Sequence, residues 1–308
     1  MMDALGDIVS RAKVTGRLDF QGRLFEECGV AFCEADGRTR YHIIVDGACW
    51  ATIDGAPAPL RVTAVSLLIV PRGARHAIAG SIDAPAEELA DFRERMKNVT
   101  ETYEASTQAG GAIVTPAAAL VSGVLDMDRD FGDVLVNELP ACIHLPLADR
   151  GELGWLADAV RFIAHEVADG APGAAAIADR LGEIIFMETV KSYAETASTG
   201  VIASLRDPKI GAALNAFHAA PADDWTVVKL AREAGLSRTL FAERASALLG
   251  MTPMLYVRDW RLMLARRFLK ETVRDIDAIA REVGYGSPGA FIKAYKDYYG
   301  VEPRCDRG

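Results

Sequence analysis

The chain is 308 residues long, half of them hydrophobic and a quarter charged, with 27 Gly and 13 Pro. That balance excludes a disordered, collagenous or coiled-coil protein, and at roughly 100–200 residues per domain it suggests two domains. The net charge of −9 is unevenly spread. Residues 200–308 hold 17 Lys and Arg against 13 Asp and Glu, whereas the preceding residues hold 17 against 30. Such an asymmetry points to a DNA-facing C-terminal third.

No apolar run approaches the ~20 residues of a membrane span. The stretch from Met1 to Arg17 lacks the apolar core of a secretory signal. The sequence therefore reads as cytoplasmic, without a membrane partner. Five cysteines (Cys28, Cys33, Cys49, Cys142, Cys305) form no C-x-x-C pair. Neither a disulfide framework nor a zinc knuckle fits, and small buried thiols are expected.

Up to about Leu147 short apolar runs alternate with turn signals. Tyr41–Val45 precedes Asp46-Gly47, Ala48–Ile53 precedes Asp54-Gly55, and Val62–Val70 precedes Pro71-Arg72-Gly73. Asp-Gly between β-branched runs signals a hairpin, and many short strands suggest a sandwich or small barrel. Residues 84–97 read as helix or loop. Gln108 to Gly111 reads as a turn before a strand over 112–125.

From Glu152 to about Ala197 the period becomes helical: Leu153, Leu156, Val160, Ile163 and Val167 share one face. After a break at residues 170–173, Ile177, Leu181, Ile184, Ile185 and Val190 line a second helix. These faces are expected to pack on their own domain or to form a homodimer seam.

The C-terminal third contains a duplication. Residues 230–236 (LAREAGL) align with 279–285 (IAREVGY) at an offset of 49. The match resumes at an offset of 50, pairing Ser237 with Ser287, Phe241 with Phe291, Gly250 with Gly300 and Pro253 with Pro303. In each copy a small Ala admits a second helix, Gly235 or Gly284 ends the first helix, and Ser237 or Ser287 caps the second. This is a helix-turn-helix written twice. Between the copies, Pro253 to about Thr272 predicts a helix of roughly 30 Å, close to the ~34 Å between successive major-groove faces.

Residues 206–304 resemble the DNA-binding domain of AraC/XylS transcription regulators. The matching stretches are Trp225 to Ser237, Met251 to Tyr256, Trp260-Arg261 with Ala265, and Val283 to Ser287 through Phe291. The resemblance implies sequence-specific binding to double-stranded DNA, usually with activation of transcription, and RNA polymerase as a further partner. Ala245 stands where the family usually has a large aromatic. Pro288, Gly289 and Ala290 leave the second recognition helix little with which to read bases.

The first recognition helix is expected to carry most specificity, through Ser237, Arg238, Thr239, Glu243 and Arg244. Arg238 suits guanine and Glu243 suits cytosine; Arg244 suits phosphate or an internal pair. Ser287, Lys293 and Lys296 belong to the second motif, where Lys293, Lys296 and also Arg274 read as backbone contacts.

Pro71 to His76 fits P-x-G-x-x-H, part of the second cupin motif, with Tyr41 to Gly47 in place of the first. Residues 8–147 thus resemble the cupin-type sensor attached to many such regulators. Only His42 and His76 of the usual ligands are present, and Ser122-Gly123 stands where relatives carry Cys-Gly. No metal, cofactor or catalytic residue is assigned. Strand parity places Arg40 with His42, so Arg40, His42 and His76 are the expected pocket for an anionic effector.

The fold expected is α+β: a cupin-like barrel or sandwich (1–147), a helical linker that packs on its own domain or forms a dimer interface (148–204), and an all-α double helix-turn-helix domain (205–308). The alternatives are a metal-dependent cupin enzyme and a ligand-independent dimeric regulator.

Overall fold

A computed structural model describes residues 4–33, 37–95, 115–147, 154–168 and 172–307, with the side chains of 163–168 outside the description. The expected turn at Gln108 to Gly111 and the side chains of Leu153, Ile163 and Val167 lie outside it. The chain divides into two units. One comprises Lys13–Asp128 and Leu139–Val190; the other comprises Met1–Ala12, Arg129–Glu138 and Lys191–Gly308. Each unit is thus assembled from separated stretches of sequence, cutting across a division at 147 and 204.

Among the described residues the first unit is built on nine strands: β1 (Thr15–Leu24), β2 (Gly29–Phe32), β3 (Thr39–Ile53), β4 (Leu60–Thr63), β5 (Ser66–Val70), β6 (His76–Ala79), β7 (Ala86–Glu88), β8 (Ala118–Asp126) and β9 (Ile143–Pro146). Their path is β1-β8-β3-β6-β2-β7. β4 lies against β3, and β5 bridges β3 and β9. Phe20, Leu24, Val30, Phe32, Leu68 and Phe92 fill the core that this curled sheet encloses.

The central strand corrects one expectation. Asp46-Gly47 is no hairpin: β3 runs straight through it for 15 residues. Its first half pairs with β5 and β8, and its second half with β4 and β6. The register slips between Ile44 and Asp46, and Gly47 takes φ +73°. A bulge of this kind bends a strand so that it can serve two sheets. The hairpin signal failed because Asp-Gly supplies positive φ equally to a turn and to a bulge.

A Cβ at Gly47 would lie 2.0 Å from the Ala117 carbonyl oxygen. That oxygen also accepts from the Ala48 N–H at 2.9 Å. Gly47→Ala is therefore expected to cost about 3 kcal/mol, combining left-handed strain with backbone displacement. Gly55→Ala, at φ +85° but with nothing nearer than 3.5 Å, should cost about 1 kcal/mol. Chemical denaturation of both variants checks the contrast.

Besides the helical turns at 89–95, this unit carries α3 (Gly154–Ala168) and α4 (Ala174–Ala194) among the described residues. α2 is given to Arg129–Val136 and α1 to Ala4–Ala12, both in the other unit. α4 covers the outer face of the sheet. Asp179 accepts from the Leu18 N–H (2.6 Å), Glu183 accepts from the Gly16 N–H (3.1 Å), and Gly182 lets the helix close on Tyr41. Tyr41 and Ile43 are consequently as buried as His42 and Ile44. The opposite side of α4 is bare: Ile177 and Ile184 are exposed, as are Trp155 and Phe162 on α3. Ile177 and Phe162, with Leu181 and Arg180, border an apolar groove of about 680 Å³.

The second unit is helical: α1, α2, α5 (Gly200–Arg206), α6 (Pro208–Ala219), α7 (Val227–Glu233), α8 (Arg238–Leu249), α9 (Pro253–Glu271), α10 (Ile276–Glu282) and α11 (Pro288–Tyr299). Among the described residues no helix is long and apolar enough to cross a membrane. The cysteines depart partly from expectation. Cys28 and Cys49 are buried and Cys142 half-buried, but Cys33 and Cys305 are exposed.

Candidate nucleic-acid interface and buried polar clusters

The duplicated motif folds as its residue types dictate. Thr226 and Asp275 cap α7 and α10, Gly235 and Gly284 take φ +60° and +83°, and Ser237 and Ser287 cap α8 and α11. Each capping oxygen accepts a free helical N–H, a contact worth about 1 kcal/mol. Ala231, Ala280, Phe241 and Phe291 are all buried, so each pair of helices closes on a small residue and an aromatic wedge. Ala245, standing in for an aromatic, is fully buried. The spacer α9 starts with Pro253 at its first turn and spans 19 residues, about 28 Å.

On α8, Ser237, Arg238, Thr239 and Glu243 are exposed. Arg244 is exposed as well, but its guanidinium is already engaged. It pairs with Asp207, whose carboxylate also caps α6 by accepting from the Lys209 and Ile210 N–H groups at 2.9 Å. These bonds and Arg244 outweigh burial and hold the Asp207 carboxyl below its ordinary pKa. Lys293 and Lys296 on α11 are exposed, as are Gly289 and Ala290 at its start. Arg274 pairs with Glu282.

In the barrel unit, Arg40, His42 and His76 do lie together, but buried and mutually engaged, at 3, 0 and 2 % exposure. The His76 Nδ1–H donates to the Ala74 carbonyl at 2.7 Å, which leaves its Nε2 as an acceptor. The His42 Nε2–H donates to that atom at 2.8 Å, and the Ser122 hydroxyl donates to His42 Nδ1 at 2.7 Å. The resulting chain leaves no ring nitrogen unpartnered. Burial, with His76 and Arg40 nearby, holds the His42 pKa well below its ordinary value.

Arg40 makes a two-pronged pair with Asp19 (2.9 and 2.8 Å) and lies over Phe32, which stacks on His76. An anion entering here must displace the Asp19 carboxylate.

The cupin fold raises the question of a metal, and the donors do not fit one. Nε2 atoms bound to one tetrahedral ion at ~2.0–2.1 Å would stand about 3.3 Å apart; these are 2.8 Å apart and bonded to each other. Among the described residues no three His, Cys, Asp or Glu side chains gather into a site.

A second buried cluster, unforeseen in the sequence, lies in the helical unit. The Tyr256 hydroxyl donates to His218 Nε2 at 2.7 Å, and the His218 Nδ1–H donates to Asp7 at 3.0 Å. Arg11 donates to the other Asp7 oxygen at 2.7 Å. Arg266 joins Asp130 of α2 to Asp306. Helices α1 and α2, distant in sequence from the DNA-binding region, are thereby tied to α6 and α9. No local pattern signals these partners, because the contacts that tie α1 and α2 in join residues lying 211 and 136 positions apart in sequence.

A curled β unit and two helix-turn-helix motifs on a rigid spacer, carried on one chain, define a DNA-binding regulator with its own accessory domain. Comparison with known proteins agrees. The Cupin family matches residues 3–195, and a helix-turn-helix domain family matches residues 230–308.

A protein described as an AraC-like transcription regulator from Streptomyces antibioticus is 29 % identical over 292 residues, covering 86 % of this chain and 93 % of its own. The HTH-type transcriptional regulator AlkR of Acinetobacter baylyi is 27 % identical over 270 residues, covering 85 % of each. A solved AraC-type regulator structure from Chromobacterium violaceum is 27 % identical, covering 32 % of this chain and 89 % of that one, with a TM-score of 0.31. The chain belongs to the Cupin family and is a DNA-binding transcription regulator of the AraC/XylS type.

Proposed function

We propose that the chain regulates transcription as a homodimer in which α8 reads base edges and α11 grips the phosphate backbone. The carrying observation is the contrast between the two helices at their exposed starts. α8 presents Arg238, Thr239 and Glu243, while α11 presents Gly289 and Ala290 with Lys293 and Lys296 further along. Side chains with hydrogen-bonding edges discriminate bases, whereas lysines next to small residues supply charge with only weak readout. Selection of bound fragments from a random DNA pool at two salt concentrations tests this. Enrichment of a motif in which one major-groove box is strongly specified and the next is weakly specified is expected. Salt-sensitive binding without enrichment would exclude base readout by α8.

The homodimer reading rests on the bare apolar face of α3 and α4, where Trp155, Phe162, Ile177 and Ile184 stand exposed. Asp158 and Arg180 flank the groove there, so a two-fold partner would set opposite charges against each other. Ile177→Arg is expected to convert the dimer to a monomer in light scattering without lowering the melting temperature. A wild-type chain that stays monomeric at micromolar concentration would remove the seam.

A further inference from the structure

We infer that Arg261 is a positioning residue that sets the angle between the two helix-turn-helix motifs, and with it the spacing of the DNA boxes the protein accepts. Arg261 lies midway along α9, half-buried, and its guanidinium gathers backbone carbonyls from both motifs. Nε donates to Pro221 at 2.8 Å, Nη2 to Asp223 at 2.5 Å and Nη1 to Gly284 at 3.3 Å. Pro221 to Asp223 form the lead-in to α7, the first helix of motif one. Gly284 is the left-handed turn of motif two.

That lead-in is itself braced. Trp225 donates from Nε1 to the Ala220 carbonyl at 2.8 Å, and Lys229 pairs with Asp223 at 3.0 Å while lying over the Trp225 ring. The two motifs approach backbone to backbone at this point. A Cβ on Gly284 would meet the Ala222 oxygen at 2.6 Å and Arg261 Nη2 at 2.7 Å.

Arginine is suited to this joint because its donors form a rigid planar fork, whereas lysine offers one rotatable ammonium. The length of α9 fixes how far apart the motifs stand. A helix alone leaves their rotation about its axis to the packing at each end, and Arg261 ties both ends to one plane. Asp207–Arg244 ties α8 of motif one to the start of α6; Arg261 acts between motifs.

The inference rests on α8 and α11 engaging one duplex, and the experiment separates the two. Affinity of the full chain is measured on a selected fragment and on derivatives with one base pair inserted or deleted between the two boxes. Each change turns one box by about 34° and moves it about 3.4 Å relative to the other. Wild type is expected to bind the altered fragments about tenfold more weakly, the loss of the second box's weak base preference. In Arg261→Gln and Gly284→Ala that penalty should fall to about threefold or less, with Arg261→Lys between, while affinity for a fragment holding only the first box is unchanged.

A folded Arg261→Gln that keeps the wild-type penalty overturns the inference, and so does uniform weakening on every spacing. If Arg261→Gln does not fold, Arg261→Lys and Gly284→Ala decide by the same comparison. Absence of a spacing penalty in wild type would instead defeat the one-duplex reading.

Discussion

Asp7→Ala is expected to lower the stability of the helical unit by about 3 kcal/mol, read as a reduced denaturation midpoint. Removing the carboxylate leaves the buried His218 Nδ1–H without its acceptor and Arg11 without its partner. His218 lies against Trp260 at 4.2 Å between ring centres, so no water-filled space replaces the lost bond easily.

The same cluster has a predictable pH response. Burial is the largest influence on His218 and lowers its pKa, with Asp7 opposing only in part. For Asp7, burial raises the pKa, but His218 and Arg11 together bring it below the ordinary value. Both folded values are depressed, so the unfolded chain binds more protons as the solution is acidified. The stability these groups contribute is present above their unfolded pKa values and is lost as pH falls. The His218 share is lost first, as pH drops below 6.5 toward its folded value, and the Asp7 share below 3.8. His42 shifts in the same direction in the barrel unit. The informative comparison is therefore wild type against His218→Gln at pH 7.5 and pH 5. A smaller fall in melting temperature is expected for the variant, and equal falls would contradict the assignment.

Arg238→Ala should weaken binding to the selected DNA site by about 1–3 kcal/mol, roughly 5- to 150-fold, and binding to random DNA by no more than about threefold. Arg238 is the first helical residue of α8, exposed beside the capping Ser237, and its guanidinium can reach two acceptors on one guanine edge. Lys293→Ala should weaken both kinds of DNA alike and reduce the salt slope by about one. Equal losses on both sequences for Arg238→Ala would move it from reading to gripping. Arg244→Ala should act through α8 itself, since its partner is Asp207.

The duplicated motif was legible because every signal in it is local. A serine oxygen and an N–H three residues on, or a glycine that ends a helix, are settled within one turn of backbone. The spacer length followed from an unbroken helical run after Pro253. The barrel class followed from alternating short strands, and the His42–His76 proximity from two motif fragments 34 residues apart.

The tertiary structure alone decided the rest, for one physical reason: the deciding partners are far away in sequence. Whether Asp46-Gly47 turns the chain or bends a strand depends on β4, β5, β6 and β8 lying beside it. Whether Arg40 awaits an anion or is already neutralised depends on Asp19. The helical unit recruits α1 and α2 through Asp7 and Asp130, whose partners His218 and Arg266 lie 211 and 136 residues away. Arg261 could be matched to a family pattern from sequence, but three carbonyls on two motifs came together around it only when the chain folded.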